Sequence, residues 1–109
     1  MSFSDWLEKR KEKRRQKAIR RHTKHIKNKF GQGEDRQRAI EFFSEMGGVE
    51  ACNGLLERFM VNVEPSIKDE DEKQRVFDIL VSFGNTVIPA IERYINRKDS
   101  ARVPITWPL

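Results

Sequence analysis

From Asp5 to Lys29 the chain runs for 25 residues without a glycine or a proline, and 12 of those residues are lysine or arginine. Nothing in that stretch breaks a helix, and almost nothing in it invites burial. Helix formers dominate up to the break at Gly31-Gln32-Gly33, so one long helix is predicted over 5–29, capped by Ser4 or Asp5. It would be about 37 Å long at 1.5 Å per residue. Between residues 8 and 29 only Ala18, Ile19 and Ile26 are apolar. Like charges stand one turn apart at Lys9/Lys13, Arg10/Arg14, Lys11/Arg15, Lys13/Lys17 and Arg20/Lys24. Each such pair costs roughly 0.2–0.5 kcal/mol, so in isolation this helix is expected to fray.

The charge is concentrated there. The 109 residues carry a formal net charge of +5, but residues 1–29 hold +9 and the remainder −4. Length leaves room for one small domain and excludes a large multidomain enzyme. The longest apolar stretch, Phe59 to Val63, is interrupted at Asn62 and falls far short of a transmembrane span, and no apolar run marks a signal peptide. A cytoplasmic chain is therefore expected. Cys52 is the single cysteine, so neither an internal disulfide nor a Cys/His zinc array is available.

The apolar residues lie in the other part, 27 of them among the 57 positions from 39 to 95. Glu34 and Asp35 favour a helix start, and Ala39, Ile40, Phe42, Phe43 and Met46 form its stripe up to Gly47-Gly48. A helix from near Val49 carries Cys52, Leu55, Leu56, Phe59 and Met60. After a connector over 61–68 containing Pro65, the run Asp69-Glu70-Asp71-Glu72 opens a helix with Val76, Phe77, Ile79, Leu80 and Phe83 inside. Gly84-Asn85-Thr86 turns it into a last helix with Val87, Ile88, Ile91, Tyr94 and Ile95, and Pro89 lies in its first turn.

The two hairpins repeat. At an offset of 37, Ala39-Ile40-Glu41-Phe42-Phe43 matches Val76-Phe77-Asp78-Ile79-Leu80; at an offset of 35, Leu56-Glu57-Arg58-Phe59-Met60 matches Ile91-Glu92-Arg93-Tyr94-Ile95. Helical hairpins of this length, each with an apolar face it cannot bury alone, build α-solenoids. Glu57-Arg58-Phe59, Asp69-Glu70-Asp71-Glu72-Lys73-Gln74, the Gly84…Pro89…Tyr94-Ile95 spacing and the closing Thr106-Trp107-Pro108-Leu109 resemble HEAT-like repeat proteins, more narrowly bacterial HEAT-repeat domain proteins. The resemblance covers 34–109. It implies a scaffold that binds partners on a stacked-helix surface and brings no catalytic residues. Two repeats are fewer than the roughly three a stable array needs. The array is therefore expected to be cut short at the start of a third repeat, or to have its open end covered by a partner or by the basic arm.

The cations of the first helix are the strongest functional signal. Lys9, Arg10, Lys11, Lys13, Arg14, Arg15, Lys17, Arg20, Arg21, Lys24, Lys27 and Lys29 exceed what pairing within the helix neutralises. A nucleic-acid backbone supplies the missing countercharge, and the arm would become ordered on it. The arginines match phosphate bidentately, and with no aromatic interleaved the contact is expected to be to backbone and shape. Phe3, Trp6 and Leu7 share one face at i, i+3, i+4 and form a docking patch for a membrane, for the hairpins' exposed end, or for the bound partner. His22 and His25 lack a third ligand and are expected to be solvated or to face phosphate, so no metal site is assigned. The acidic run 69–72 lacks EF-hand spacing and suits the helix dipole, and Cys52 suits a core.

These readings give an all-α protein: a basic helical arm over 1–30, a glycine hinge at 31–33, and two HEAT-like hairpins over 34–109 as a slightly acidic platform. The expected function is non-enzymatic and needs no cofactor. The arm grips nucleic acid, RNA before DNA, in a large ribonucleoprotein, while the repeats bind protein. The alternative is a protein-interaction scaffold whose arm docks on an acidic protein or an anionic membrane.

Overall fold

The computed structural model describes residues 2–96. Among them the chain is all-α, with helices α1 (Phe3–Lys27), α2 (Gly33–Met46), α3 (Gly48–Leu56), α4 (Ser66–Ser82) and α5 (Val87–Ile95). The proposed closing motif over 106–109 and the start of a third repeat lie outside the described residues. Short 3-10 segments follow α3, at Glu57–Met60, and precede α5, at Gly84–Thr86.

The long basic helix begins two residues earlier than the sequence suggests. Ser2 is its cap: the Ser2 hydroxyl accepts from the Asp5 N–H at 3.2 Å, which leaves Asp5 in the first turn beside the positive end of the dipole. It stops at Asn28, whose side-chain oxygen accepts from the Phe30 N–H at 3.1 Å and turns the chain away.

Contacts within the chain hold it in place. Ile26 is fully buried, and Ile19 packs against the same core as Ala39, Ile40, Phe43, Ala51, Cys52, Leu55, Leu56, Phe59, Val76, Leu80, Ala90 and Tyr94. The second half of α1 thus lies across α2 and α3 and covers one end of the hairpins. Two isoleucines seven residues apart fall on one helix face, and burying them orders a helix that its own charges disfavour. The boundary between a basic arm over 1–30 and a module from 34 does not coincide with a break in packing. The segment 31–33 is bound as well, because Arg36 Nη1 donates to the carbonyls of Asn28 and Gly31 at 3.3 and 3.0 Å.

Phe43 against Gly54 sets how closely α2 and α3 approach. A Cβ on Gly54 would stand 2.5 Å from the Phe43 ring. The α2–α3 turn uses left-handed backbone at Gly47 and Gly48, with φ of 65° and 81°. α5 then packs on α3, and Tyr94 donates its hydroxyl proton to Met60 Sδ at 3.3 Å. Positions matched by the internal repeat are buried in pairs: Ala39 with Val76, Phe43 with Leu80, Phe59 with Tyr94. Ile88 and Ile95, expected inside, are 48% and 58% exposed, since α5 turns Ala90 and Tyr94 toward α3 instead.

α4 starts at Ser66 rather than at the acidic run, because the Pro65 carbonyl already accepts from the N–H groups of Lys68 and Asp69 at 3.0 and 3.1 Å. The run itself is not simply a dipole partner. Asp69 and Glu72 are buried, and so are the cations that meet them. Glu72 accepts from Arg36 Nε at 2.8 Å and Nη2 at 3.2 Å, and from Arg58 Nε at 3.2 Å. Asp69 accepts from Arg58 Nη2 at 2.8 Å and the Val63 N–H at 3.0 Å, and pairs with Lys73 Nζ at 2.9 Å. Arg58 is completely buried and bonds the Val61 carbonyl at 2.9 Å, which tightens the chain after α3 into its 3-10 turn. This network joins α2, the 3-10 turn after α3, the connector that follows it and α4.

Candidate functional site

The basic helix sorts its charges by direction. At about 100° per residue, Lys9, Arg10, Lys13, Arg14, Lys17, Arg20, Arg21, Lys24 and Lys27 fall within one arc of roughly 140°, and all of them are exposed. The acids of α1, namely Asp5, Glu8 and Glu12, all lie outside this arc, Glu8 and Glu12 near the side of Ile19 and Ile26 and Asp5 at the arc's edge. That division follows from the fold. The side of α1 that packs on the hairpins carries Ile19, His22 and Ile26, the acids stay exposed in the first half of the helix, and nine cations face outward along about 27 Å of helix from Lys9 to Lys27.

Three of the twelve predicted cations lie outside that arc. Lys11 and Arg15 stand outside the arc and find protein partners: Lys11 pairs with Glu8 at 3.9 Å, and Arg15 pairs with Glu12 at 3.4 Å and with Glu50 of α3 at 2.8 Å. Gln16 adds a bond to Glu50 at 3.0 Å. Bonds from Arg15 and then Gln16 hold the Glu50 carboxyl below its ordinary range. Arg15 is thus a tether between α1 and α3. Lys29 lies beyond the helix end, 5.0 Å from the Phe30 ring centre. The remaining nine cations form the continuous face.

Phe3 and Trp6 belong to that same outward arc, while Leu7 sits half-buried at its margin. The two rings do not reach the hairpins. They stack on each other with centroids 5.9 Å apart and planes 24° from parallel, and Arg10 lies 5.2 Å from the centre of the Trp6 ring. An aromatic pair therefore stands at the N-terminal end of the cationic arc, where no aromatic was expected beside the cations.

His22 is not a phosphate-facing or solvated group. Its ring stacks on Phe42 with centroids 4.1 Å apart, because position 22 lies on the packed side of α1 with Ile19 and Ile26. Burial, and then the charges of Arg21 and His25, hold its pKa below the ordinary value. Cys52 sits in the core, where burial pushes its thiol pKa up. Among the described residues no cluster of three or more His, Cys, Asp or Glu side chains is arranged to hold a metal ion. No helix among them is long and apolar enough to cross a membrane.

The buried arginines were missed although their positions carried a signal. Arg36 precedes Ala39 and Ile40 by three and four residues, on the face that α2 buries. An arginine on an apolar stripe calls for a buried carboxylate. Comparison with protein-family models, with curated proteins and with solved structures finds no match to this chain.

Proposed function

We propose that this protein is a non-enzymatic, cytoplasmic binding module whose outward face of α1 grips the phosphate backbone of a nucleic acid, RNA foremost. The observation that carries this reading is the arc from Lys9 to Lys27: nine exposed cations, with every acid of α1 outside the arc. A solvated helix gains nothing from such segregation, since mixing the signs would relieve like-charge repulsion between successive turns. A polyanion gains directly, because each phosphate contacted releases condensed counterions. The hairpins behind α1, a HEAT-like pair in this reading, form an acidic platform for a protein partner and hold α1 as a rod. Packing at Ile19, His22 and Ile26 supplies that rigidity, so the grip does not require the helix to fold on its ligand.

Salt dependence tests it. Log K for an RNA should fall against log salt by roughly 0.7 to 0.9 per phosphate contacted. Replacing Arg14, Lys17, Arg20 and Arg21 by Gln should flatten that slope, and Arg15→Gln, which removes a tether to Glu50, should leave it as it was. Binding indifferent to salt would defeat the reading. Salt-dependent binding to anionic vesicles or an acidic protein, with none to RNA, would favour the scaffold alternative.

A further inference from the structure

We infer that the Phe3–Trp6 pair at the tip of α1 is a stacking station for an unpaired nucleobase, so that the strand held along the cationic face is single. The inference rests on the nucleic-acid reading and names the form of ligand that this face takes. Phe3 is 73% and Trp6 45% exposed, yet both rings are held in a defined arrangement. The Ser2 cap fixes the first turn, and the i, i+3 spacing brings the two rings together with their planes nearly parallel. Arg10 stands over Trp6, and Lys13, Arg14 and Lys17 continue along the same arc toward the hairpins. A base laid on the ring pair would therefore have its own phosphates beside guanidinium and ammonium groups.

A duplex does not suit this arrangement. Its bases are stacked within the helix and show only their edges in the grooves, so ring faces along the length of a duplex are closed to an aromatic side chain. Single strands offer open base faces, and stacking platforms beside a cationic track are how proteins hold them without reading sequence. A lipid surface fits less well. An interfacial helix separates an apolar arc from its cations, whereas here the rings lie inside the cationic arc and the apolar side is turned to the core.

The test uses the full chain with Trp107→Phe, which leaves Trp6 as its one tryptophan. The probes are an oligouridylate, an abasic oligonucleotide with the same number of phosphates, a long RNA duplex, and vesicles of phosphatidylserine and phosphatidylcholine. Oligouridylate should quench Trp6 emission and the abasic strand and duplex should not. Binding measured by anisotropy in the natural sequence should weaken roughly 5- to 100-fold for oligouridylate in Trp6→Ala or Phe3→Ala. Trp6→Phe should keep most of the affinity, and neither alanine variant should change binding to the abasic strand or the duplex. Far-UV circular dichroism should stay unchanged, since both rings are exposed.

Equal affinity for the abasic and base-bearing strands overturns the stacking station, and if both still show a steep salt slope the backbone grip stands without it. Absence of salt-dependent binding to any of the oligonucleotides defeats both readings together. A blue shift of Trp6 on the vesicles, with no quenching by oligouridylate, overturns the proposal and assigns the ring pair to a membrane.

Discussion

Arg36 and Glu72, 36 residues apart in the chain, meet as a two-point ion pair in which each side chain is only 3% exposed. Such a pair is weak testimony to stability as a whole, since both ions had to leave water, but removing one partner strands the other. Glu72→Gln leaves Arg36 and Arg58 without their shared carboxylate. It should destabilise the fold by about 3–5 kcal/mol, read as a lowered urea midpoint with an unchanged denaturant slope.

Acid should act on the same network. Burial raises the Glu72 and Asp69 carboxyls, but the bonds and charges of Arg36 and Arg58 on Glu72, and of Val63, Lys73 and Arg58 on Asp69, outweigh it and hold both below their ordinary values of 4.5 and 3.8. Carboxyls depressed in this way contribute stability that is fully present above those ordinary values and is lost as pH falls through the folded ones. The melting temperature should therefore drop steeply below about pH 4, and less steeply in Glu72→Gln. A melting series from pH 7 to pH 2 measures it.

Gly54→Ala places a methyl group 2.5–2.8 Å from three atoms of the Phe43 ring, which is itself fully buried and has little room to retreat. Alanine improves helix propensity by roughly 1 kcal/mol, yet overpacking costs about 1–3 kcal/mol. A net loss of stability is expected, and Phe43→Leu in the same chain should recover part of it. Chemical denaturation of the single and double variants decides.

Neutralising the outward arc should have the opposite sign. Lys13, Lys17 and Arg21 repel along successive turns, so replacing all three by Gln should leave the unfolding free energy unchanged or raise it slightly, by a few tenths of a kcal/mol per pair relieved, as chemical denaturation will show. The same variant should bind RNA more weakly and with a shallower salt slope. A drop in both stability and binding would mean that these side chains support the fold.

His22 links pH to the packing of α1. Its pKa is held below 6.5 by burial first and by Arg21 and His25 after it, so protonation favours the unfolded chain. The stabilisation is fully present above that ordinary value and declines as pH falls below it toward the lowered folded value. His22→Phe keeps the stack on Phe42 and should flatten the fall in stability between pH 7 and pH 5, as thermal melts in that interval will show.

The helices and most of their inner faces were legible along the chain, because periodicity, glycine breaks and caps act between residues three or four apart. Ala39, Phe43, Val76 and Leu80 could be assigned to the core by that rule, as could the basic helix by its unbroken run of helix formers. Two local choices were misplaced: the cap is Ser2, not Ser4 or Asp5, and α4 opens at Ser66 on the Pro65 carbonyl. Only the tertiary structure decided which charges go inside. Arg36 reaches Glu72 across 36 residues and Arg15 reaches Glu50 across 35, and no local spacing encodes such meetings. The direction of the cationic face was decided in the same way. Ile19 and Ile26 are two small apolar marks on a polar helix, and only when they are buried against α2 and α3 does its circumference acquire a packed side and an outside, which keeps nine of the cations.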